Sequence, residues 1–330
     1  EEISITQAPI FQRLRNIKQL GFSEYVFPGA THTRYLHSIG VMDVATKVFN
    51  QLFKNKKYCA DLKRLKESVR LACLLHDIGH APLSHTTEFV MPDLASLALP
   101  PTFNNEQNRQ ATHEDYTIKS IVDSSFTDSF KDVSKKFGII PAQVAELIVG
   151  ETSSPEYFTV DNINYFPMLH QLVSSEMDCD RMDYLLRDAH YTGLHYGNYD
   201  RDYLLHHFTV VKQAGHEILA IKDNALHCVE DFLNARVAWY TQVVRSSRGA
   251  KYDALAEELT FYLLEKNQIY SYSELLEMVK NDPLRFYGFN DQYFMTTVQN
   301  LYLDGFFNKD VRMKDIAECL LFEKSPRTIR

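Results

Sequence analysis

Apolar residues recur along most of the chain at the three- and four-residue intervals of an α-helix. Met42, Ala45, Phe49 and Leu52 form one such stripe, and a second runs over residues 69–76. Side chains at these intervals share one helix face and can be buried together against a neighbouring element. The 330 residues are 45% hydrophobic, which is enough for a substantial core. The pattern therefore predicts a mainly α fold.

Two segments and one boundary interrupt the helical pattern. Residues 208–211 and 218–221 are β-rich runs around a short turn that includes Ala214 and Gly215, which predicts one small β-hairpin. Residues 92–110 are rich in Pro and Asn and include Asn104 and Asn105, which predicts a loop and a candidate lid. We expect an internal boundary at residue 249, which divides the chain into a main domain, 1–249, and a helical region, 250–330, packed on it.

Charge and cysteine content exclude several classes of protein. The balance of 35 Lys and Arg against 43 Asp and Glu gives a net charge of −8, which argues against general binding to nucleic acid or to an anionic membrane. The five cysteines are scattered and lack CxxC spacing, which argues against a disulfide framework or a zinc knuckle. No apolar run is long enough to span a bilayer and no secretory signal is evident, although a trimmed leader stays open. We expect a cytoplasmic protein.

Histidines are concentrated in one part of the chain. Six of the thirteen lie between His32 and His113, and one of them forms a His76-Asp77 pair. The pair alone is a weak signal, since a helix-face histidine beside a capping acid explains it equally well. A cluster of imidazoles and carboxylates without thiolates suits a divalent metal such as Mn, Fe, Co, Ni, Zn or Mg. The clustering therefore favours a metal site.

An acidic segment farther along the chain supplies further candidate ligands. If the acidic segment that begins at Ser175 is helical, Asp180, Arg181, Tyr184 and Asp188 share one broad face. This face is either a solvated polar surface or the lining of a cleft, and periodicity alone does not choose between them. As a cleft lining, it would offer the charges and hydrogen-bonding groups that a metal-bound, phosphorylated sugar needs.

Five blocks of sequence occur in a fixed order along the chain. They are FQRLRNIKQLG at 11–21, VFPGATHTRYLHSIG at 26–40, LHDIGHAPLSH at 75–85, His113-Glu114, and DRMDYLLRD at 180–188. This series resembles the HD-domain dNTP triphosphohydrolases, and the match extends to about Arg236, roughly two thirds of the chain. Ordered blocks are far more specific than the dipeptide. The resemblance implies an HD-domain helical bundle that cuts nucleoside triphosphates at the α-phosphate into nucleoside and tripolyphosphate.

The resemblance also implies a role for each matched residue. One divalent metal would be held by His37, His76, Asp77 and Asp180, with positions left for a phosphate oxygen and a water. The residues expected to bind the substrate are Gln19, Leu20, Arg34, Arg181, Tyr184, Asp188 and Arg236. Among them, Arg34 and Arg181 would neutralise phosphate, and Arg181 stands where the family usually has Lys. Gln19 and Asp188 would bond a 3′-hydroxyl.

Proton transfer beside the α-phosphate is implied for two histidines. His85 and His113 resemble the catalytic pair, Glu88 the supporting acid, and His80 and Glu114 lie close to them in sequence. Two structural alternatives remain open. His113-Glu114 would also fit the first turn of a helix capped by Thr112 and Asp115, and His85 would fit a surface position after the Pro82 turn.

Several positions depart from the family pattern. Gln7 replaces a usual Asp and Ser246-Ser247 a usual His-Lys pair, although Arg13 and Arg15 are retained, so binding of an activating nucleotide is an open expectation. Val244 replaces a Tyr whose ring helps relatives to exclude a 2′-hydroxyl. A homo-oligomer is expected, because oligomers are common in the family. Two alternatives are an HD phosphohydrolase acting on monophosphates or modified nucleotides, and a nucleotide-binding regulator without turnover.

Overall fold

The computed structural model describes residues 2–103, 108–197, 199–213 and 216–324. Within these ranges it contains sixteen α-helices. They are α1 (Ile3–Gln7), α2 (Pro9–Gln12), α3 (Arg34–Leu52), α4 (Ala60–Leu75), α5 (His113–Val122), α6 (Lys131–Phe137), α7 (Pro141–Val149), α8 (Phe166–Val173), α9 (Cys179–Thr192), α10 (Arg201–His207), α11 (Leu226–Trp239), α12 (Gly249–Glu265), α13 (Tyr272–Asn281), α14 (Pro283–Tyr287), α15 (Asp291–Leu303) and α16 (Val311–Phe322). The prediction of a mainly α fold is confirmed.

Two antiparallel strand pairs accompany the helices. β3 (Phe208–Gln213) pairs with β4 (His216–Ile221), which confirms the predicted hairpin, although Ala214 and Gly215 lie outside the described residues. The shorter pair, β1 (Thr159–Val160) and β2 (Ile163–Asn164), was not predicted. Its turn is Asp161-Asn162, and both residues have positive φ, a conformation that Asp and Asn tolerate better than most residues. The predicted 92–110 loop contains short 3-10 turns, and Asn104 and Asn105 lie outside the described residues.

The main hydrophobic core is built around α3 and α4. Helix α3 packs on α4 and α9, while α4 also packs on α7 and α8. Of the predicted α3 stripe, Ala45 and Phe49 are buried, whereas Met42 and Leu52 are only partly buried. Because α3 is covered on two sides, its buried face is broader than the stripe and includes Val41.

The C-terminal helices contribute to both hydrophobic clusters. Helices α12, α15 and α16 form a second cluster that takes in Phe22 and Leu83 from the N-terminal part of the chain. Met278 and Phe286, from α13 and α14, belong to the main cluster. The division at residue 249 stays a prediction, since side chains from both sides of it share both clusters.

Arg13 joins three distant parts of the chain. Its guanidinium is fully buried and donates hydrogen bonds to the carbonyl oxygens of Ile78 (2.8 Å), His80 (2.7 Å) and Phe289 (2.8 Å). It also lies over the Phe286 ring, with the guanidinium carbon 4.3 Å from the ring centroid. A buried cation therefore ties the turn after α4 to the C-terminal region.

We expect Arg13→Met to lower the free energy of unfolding by about 3–5 kcal/mol, because it leaves three buried carbonyl groups without their donors. Arg15→Met is the control. Arg15 is exposed, with its guanidinium carbon 3.6 Å from the Tyr35 ring centroid, so its loss should cost less than about 1 kcal/mol. Urea denaturation of both variants measures the difference, and equal losses would contradict this role for Arg13.

Candidate metal centre and catalytic cleft

A cleft of about 400 Å³ gathers most of the predicted site residues. Its lining includes Gln19, Leu20, Arg34, His76, Asp77, His80, His85, His113, Glu114, Asp180, Arg181 and Tyr184. These are twelve of the sixteen residues that sequence analysis singled out. The other four, His37, Glu88, Asp188 and Arg236, are not among the lining residues, although the first two directly contact residues that are.

Four of the side chains converge at the floor of the cleft. His37 comes from the first turn of α3, His76 and Asp77 directly follow α4, and Asp180 lies in the first turn of α9. His37 Nε2 lies 2.9 Å from Asp180 Oδ1 and 3.8 Å from Asp77 Oδ2. His76 Nε2 lies 3.4 Å from Asp77 Oδ1 and 3.7 Å from Asp180 Oδ1. The packing of these three helices therefore brings the four predicted metal ligands together.

This cluster has the properties of a site for a dication. His37, His76 and Asp180 each present a ligand atom within 4.8 Å of the others. The buried Nε2 atoms of His37 and His76 face the carboxylates of the cluster and have no other hydrogen-bond partner among the described residues, so a metal ion can take their lone pairs. The other nitrogen of His76 bonds the Cys73 carbonyl oxygen at 2.8 Å, which fixes the ring. The donor set of imidazole and carboxylate suits several divalent metals.

The charges around the two imidazoles favour bound positive charge. Burial would lower the pKa of His37, but the Asp180 and Asp183 carboxylates outweigh it and raise the pKa to about 9. Burial is likewise outweighed at His76, whose pKa is raised to about 10 by Asp77 and Asp180. Without a metal, protons on the two imidazoles balance the negative charge of these carboxylates. A dication that binds here must displace them, because only a neutral imidazole coordinates.

A second cluster contains three histidines and one glutamate. Glu88 bonds His85 Nδ1 at 2.9 Å through one oxygen and His113 Nδ1 at 2.7 Å through the other. Although burial raises the pKa of Glu88, the bonds from His113 and His85 hold it well below its usual value. The His80 and His113 rings stack with centroids 3.8 Å apart. His80 Nε2 lies 3.3 Å from Asp77 Oδ1, so the two clusters meet at Asp77.

A helix cap at His113 and a surface position for His85 were the two structural alternatives, and each describes only part of what the structure shows. Thr112 and Asp115 do form the capping box of α5, with His113 as its first residue. This cap does not replace a role in the cleft, because the His113 side chain points to Glu88 and lines the cleft. His85 is exposed, as a surface position would be, yet it faces the same cleft.

The two predicted phosphate-binding arginines are held by neighbouring groups. Arg34 is buried, bonds Asp77 Oδ2 at 2.5 Å through Nη1 and donates to Ser84 Oγ at 2.8 Å. Arg181 pairs with Asp178 and donates to the Ser175 carbonyl at 2.6 Å. Both arginines line the cleft, and these bonds fix the positions of their guanidinium groups.

Asp188 and Arg236 lie away from the cleft lining. Asp188 is fully buried, and its two oxygens bond His32 Nε2 at 2.7 Å and Trp239 Nε1 at 2.8 Å. Trp239 in turn packs on Tyr184, with ring centroids 4.6 Å apart, and both rings line the cleft. Arg236 pairs with Glu176. Asp188 therefore positions Trp239, which forms the aromatic wall of the cleft together with Tyr184.

Comparison with known proteins assigns the family. Residues 34–151 match the HD domain. The chain is 31% identical to the MG461 homolog of Mycoplasma pneumoniae over 96% of this chain and 72% of that protein. The chain belongs to the HD-domain family.

Two further relatives of this HD-domain chain are longer proteins. YwfO of Bacillus subtilis is 35% identical over 71% of this chain and 45% of its own length. Human deoxynucleoside triphosphate triphosphohydrolase SAMHD1 is 27% identical over 96% of this chain and 50% of its own length. The chain therefore spans about half the length of these two relatives.

A solved structure shares the fold of the HD-domain chain. A phosphohydrolase from Bacteroides thetaiotaomicron matches with a TM-score of 0.71 and 24% identity, over 97% of this chain and 72% of that one. The predicted membership of the HD-domain family is confirmed, and the described residues include two groups of histidines and acids that could hold a metal ion. None of the helices in the described ranges combines the length and apolar character needed to cross a membrane. Cytoplasmic location and oligomeric state stay predictions.

The C-terminal contributions to the HD-domain cleft were not predicted from the sequence. Leu83 and Ser84 both have positive φ, a strained conformation for such residues. The buried Asp291 of α15 supports the turn by accepting the Leu83 N–H at 2.7 Å. Asp253 of α12 lines the cleft and accepts from Thr86 Oγ1 at 3.0 Å. No local pattern pointed to either acid, because both act across more than 160 residues of sequence.

Asp183 was also missed, although its spacing from Arg187 is a readable signal. Asp183 Oδ2 accepts from His37 Nδ1 at 2.8 Å, and its carboxylate is bonded twice by Arg187, at 2.7 and 2.8 Å. A Cβ on Gly40 would collide with both members of this pair, so the glycine makes room for them. The pair fixes the His37 ring with Nε2 facing the metal ligands.

We expect Asp183→Asn to weaken binding of a divalent metal by about 10- to 100-fold, because it removes the charge that orients His37. Calorimetric titration of metal-free protein with Mn²⁺ provides the measurement. Asp43→Asn, which changes an exposed acid on the same helix as His37, should bind like wild type. Unchanged affinity in a folded Asp183→Asn variant would show that the pair does not position the ligand.

Proposed function

We propose that this HD-domain protein uses a divalent metal to cut (deoxy)nucleoside triphosphates at the α-phosphate, which releases nucleoside and tripolyphosphate. The observation that carries the proposal is the contact between the two clusters, in which His80 Nε2 lies 3.3 Å from Asp77 Oδ1. A phosphate held at the metal ligands would lie beside imidazoles able to exchange protons. Human SAMHD1, a deoxynucleoside triphosphate triphosphohydrolase that is 27% identical over 96% of this chain, supports the same substrate class.

The metal would be held by His37, His76, Asp77 and Asp180. When bound, it supplies positive charge that polarises the phosphoryl group and offsets its negative charge. Arg34 and Arg181 would add donors for the remaining phosphate oxygens. The protein needs such local cations, since its net charge is −8.

His85 is the best placed group to handle a proton at the leaving oxygen. Its side chain is 66% exposed, and Glu88 holds its Nδ1, so Nε2 is free to meet the substrate. Glu88 also orients His113 in the same way. A positioned imidazole that exchanges a proton in this way contributes about 10²- to 10⁴-fold to a rate.

Gln19 and the aromatic wall would hold the sugar. Gln19 Oε1 is buried and has no hydrogen-bond partner among the described residues, so a sugar hydroxyl is a suitable donor. Tyr184 and Trp239 offer flat apolar faces nearby in the cleft lining. Glu114 also lines the cleft and adds no positive charge to it.

Product analysis with a panel of deoxy- and ribonucleotides tests the proposal. With Mn²⁺ or Mg²⁺, we expect tripolyphosphate and nucleoside from at least one deoxynucleoside triphosphate. Asp77→Ala should abolish both metal binding and turnover, because water cannot replace a charged ligand that joins the two clusters. Asp43→Ala is the matched control and should retain both. Release of orthophosphate, or turnover only of monophosphates, would instead select another HD phosphohydrolase activity.

Sugar selectivity should depend on Val244. Its side chain lines the cleft, in a π-helical turn at Tyr240–Val244, and it replaces the family's tyrosine. The smaller residue leaves room beside the sugar, so we expect weak discrimination between deoxy- and ribonucleotides. Val244→Tyr should raise the ratio of deoxy to ribo kcat/KM by about 10-fold or more. An unchanged ratio would show that this position does not contact the sugar.

The other expected partners stay predictions. An activating nucleotide would have to bind without Arg13, because that side chain is buried and bonded to three carbonyl groups. Arg15 is exposed and remains available. Assembly into a homo-oligomer is testable by light scattering with and without nucleotide.

A further inference from the structure

We propose that His80, His85 and His113 form a second metal site, selective for transition metals such as Zn²⁺, whose occupation blocks proton transfer. This site is separate from the one formed by His37, His76 and the two acids. Each of the three histidines presents a nitrogen within 4.8 Å of the other two. The inference goes beyond the proposed hydrolysis, which needs a metal only at the first site.

Glu88 prepares two of the ligands. It accepts from Nδ1 of both His85 and His113, so each neutral ring carries its proton on Nδ1 and its lone pair on Nε2. A carboxylate on the far nitrogen of a histidine is the usual companion of a metal-bound imidazole, because it fixes the ring and makes the ligating nitrogen more basic. One glutamate does this for two rings here.

His80 supplies the third ligand and the strongest sign that a partner is needed. Its side chain is 1% exposed, Nδ1 has no hydrogen-bond partner within the described part of the chain, and Nε2 has only the 3.3 Å contact with Asp77 Oδ1. Buried polar groups without partners cost free energy, and nearly all of them are satisfied in folded proteins. Coordination of an ion would satisfy one of these nitrogens.

The donor sets of the two sites differ in chemical preference. The first combines imidazoles with carboxylates, which also suit Mn²⁺ and Mg²⁺. The second offers three imidazoles, the set that binds Zn²⁺ tightly and Mg²⁺ poorly. The exposed His85 gives an ion access from the cleft. The His80 and His113 rings are now 13° from parallel and must turn apart as they bind.

Occupation of the second site has a direct consequence for the proposed reaction. A nitrogen whose lone pair is bound to a metal cannot accept a proton. Zn²⁺ at the second site would therefore block proton exchange at His85 and His113, whichever divalent metal occupies the first site. The protein would be active with Mn²⁺ and progressively inhibited as Zn²⁺ fills the three histidines.

Metal stoichiometry tests the inference without nucleotide. Metal-free wild-type protein is dialysed against Zn²⁺, and bound zinc is measured by plasma mass spectrometry. We expect two ions per chain in wild type and one in His85→Gln, which should fold because the changed side chain is exposed. His227→Gln, at a histidine that is 93% exposed and belongs to neither group of candidate ligands, should keep two.

Co²⁺ provides a second readout, since absorption bands of a tetrahedral site should appear in wild type and be lost in His85→Gln. A single zinc in wild type, or two in His85→Gln, would overturn the inference. Failure of the proposed function is distinguishable, because a protein that releases no product from nucleotides can still bind two zinc ions. Conversely, a dNTP hydrolase that binds one zinc ion would retain the function and lose the second site.

Discussion

Both clusters of the site depend on their contacts with the buried carboxylate of Asp77. It is 3% exposed and faces Arg34 at 2.5 Å, with the imidazoles of His37, His76 and His80 within 3.8 Å. A buried acid is tolerated only when cations or hydrogen bonds compensate it. Although burial raises its pKa, the charges of Arg34 and the neighbouring histidines hold that pKa well below the usual value. Asp77 therefore stays ionised and draws the positive groups of two clusters to one point.

The position of Asp77 is set from outside the HD match as well as within it. The turn that follows it has two residues with positive φ, and such strain persists only where the surroundings impose it. Arg13 holds the carbonyls of this turn from one side, while Asp291 holds the Leu83 amide from the other. Because Arg13 also bonds the Phe289 carbonyl, the C-terminal helices are part of the support of the site.

The parts of the site that could be predicted from the sequence came from its resemblance to a known family. The two imidazoles and two acids of the first cluster, and the lining by Arg34, His85 and Tyr184, followed from ordered blocks in the chain. Helical periodicity placed Asp188 on the same face as Asp180, but eight residues of helix carry it beyond the cleft, to a position where Trp239 and His32 use both of its oxygens. Asp253 and Asp291 could not have been predicted, because only tertiary packing brings them to the cleft.

The two clusters differ in how their nitrogens are satisfied, and under the proposed function this difference would keep metal binding and proton transfer apart in one small cleft. His37 and His76 face carboxylates, so positive charge is always attracted between them, as protons or as a dication. His85 and His113 instead share Glu88 at their Nδ1 atoms, which directs the Nε2 atom of each ring away from the acid. The first arrangement favours binding a cation that stays in place during turnover. The second favours exchange of a proton, provided that no softer cation takes the same lone pairs.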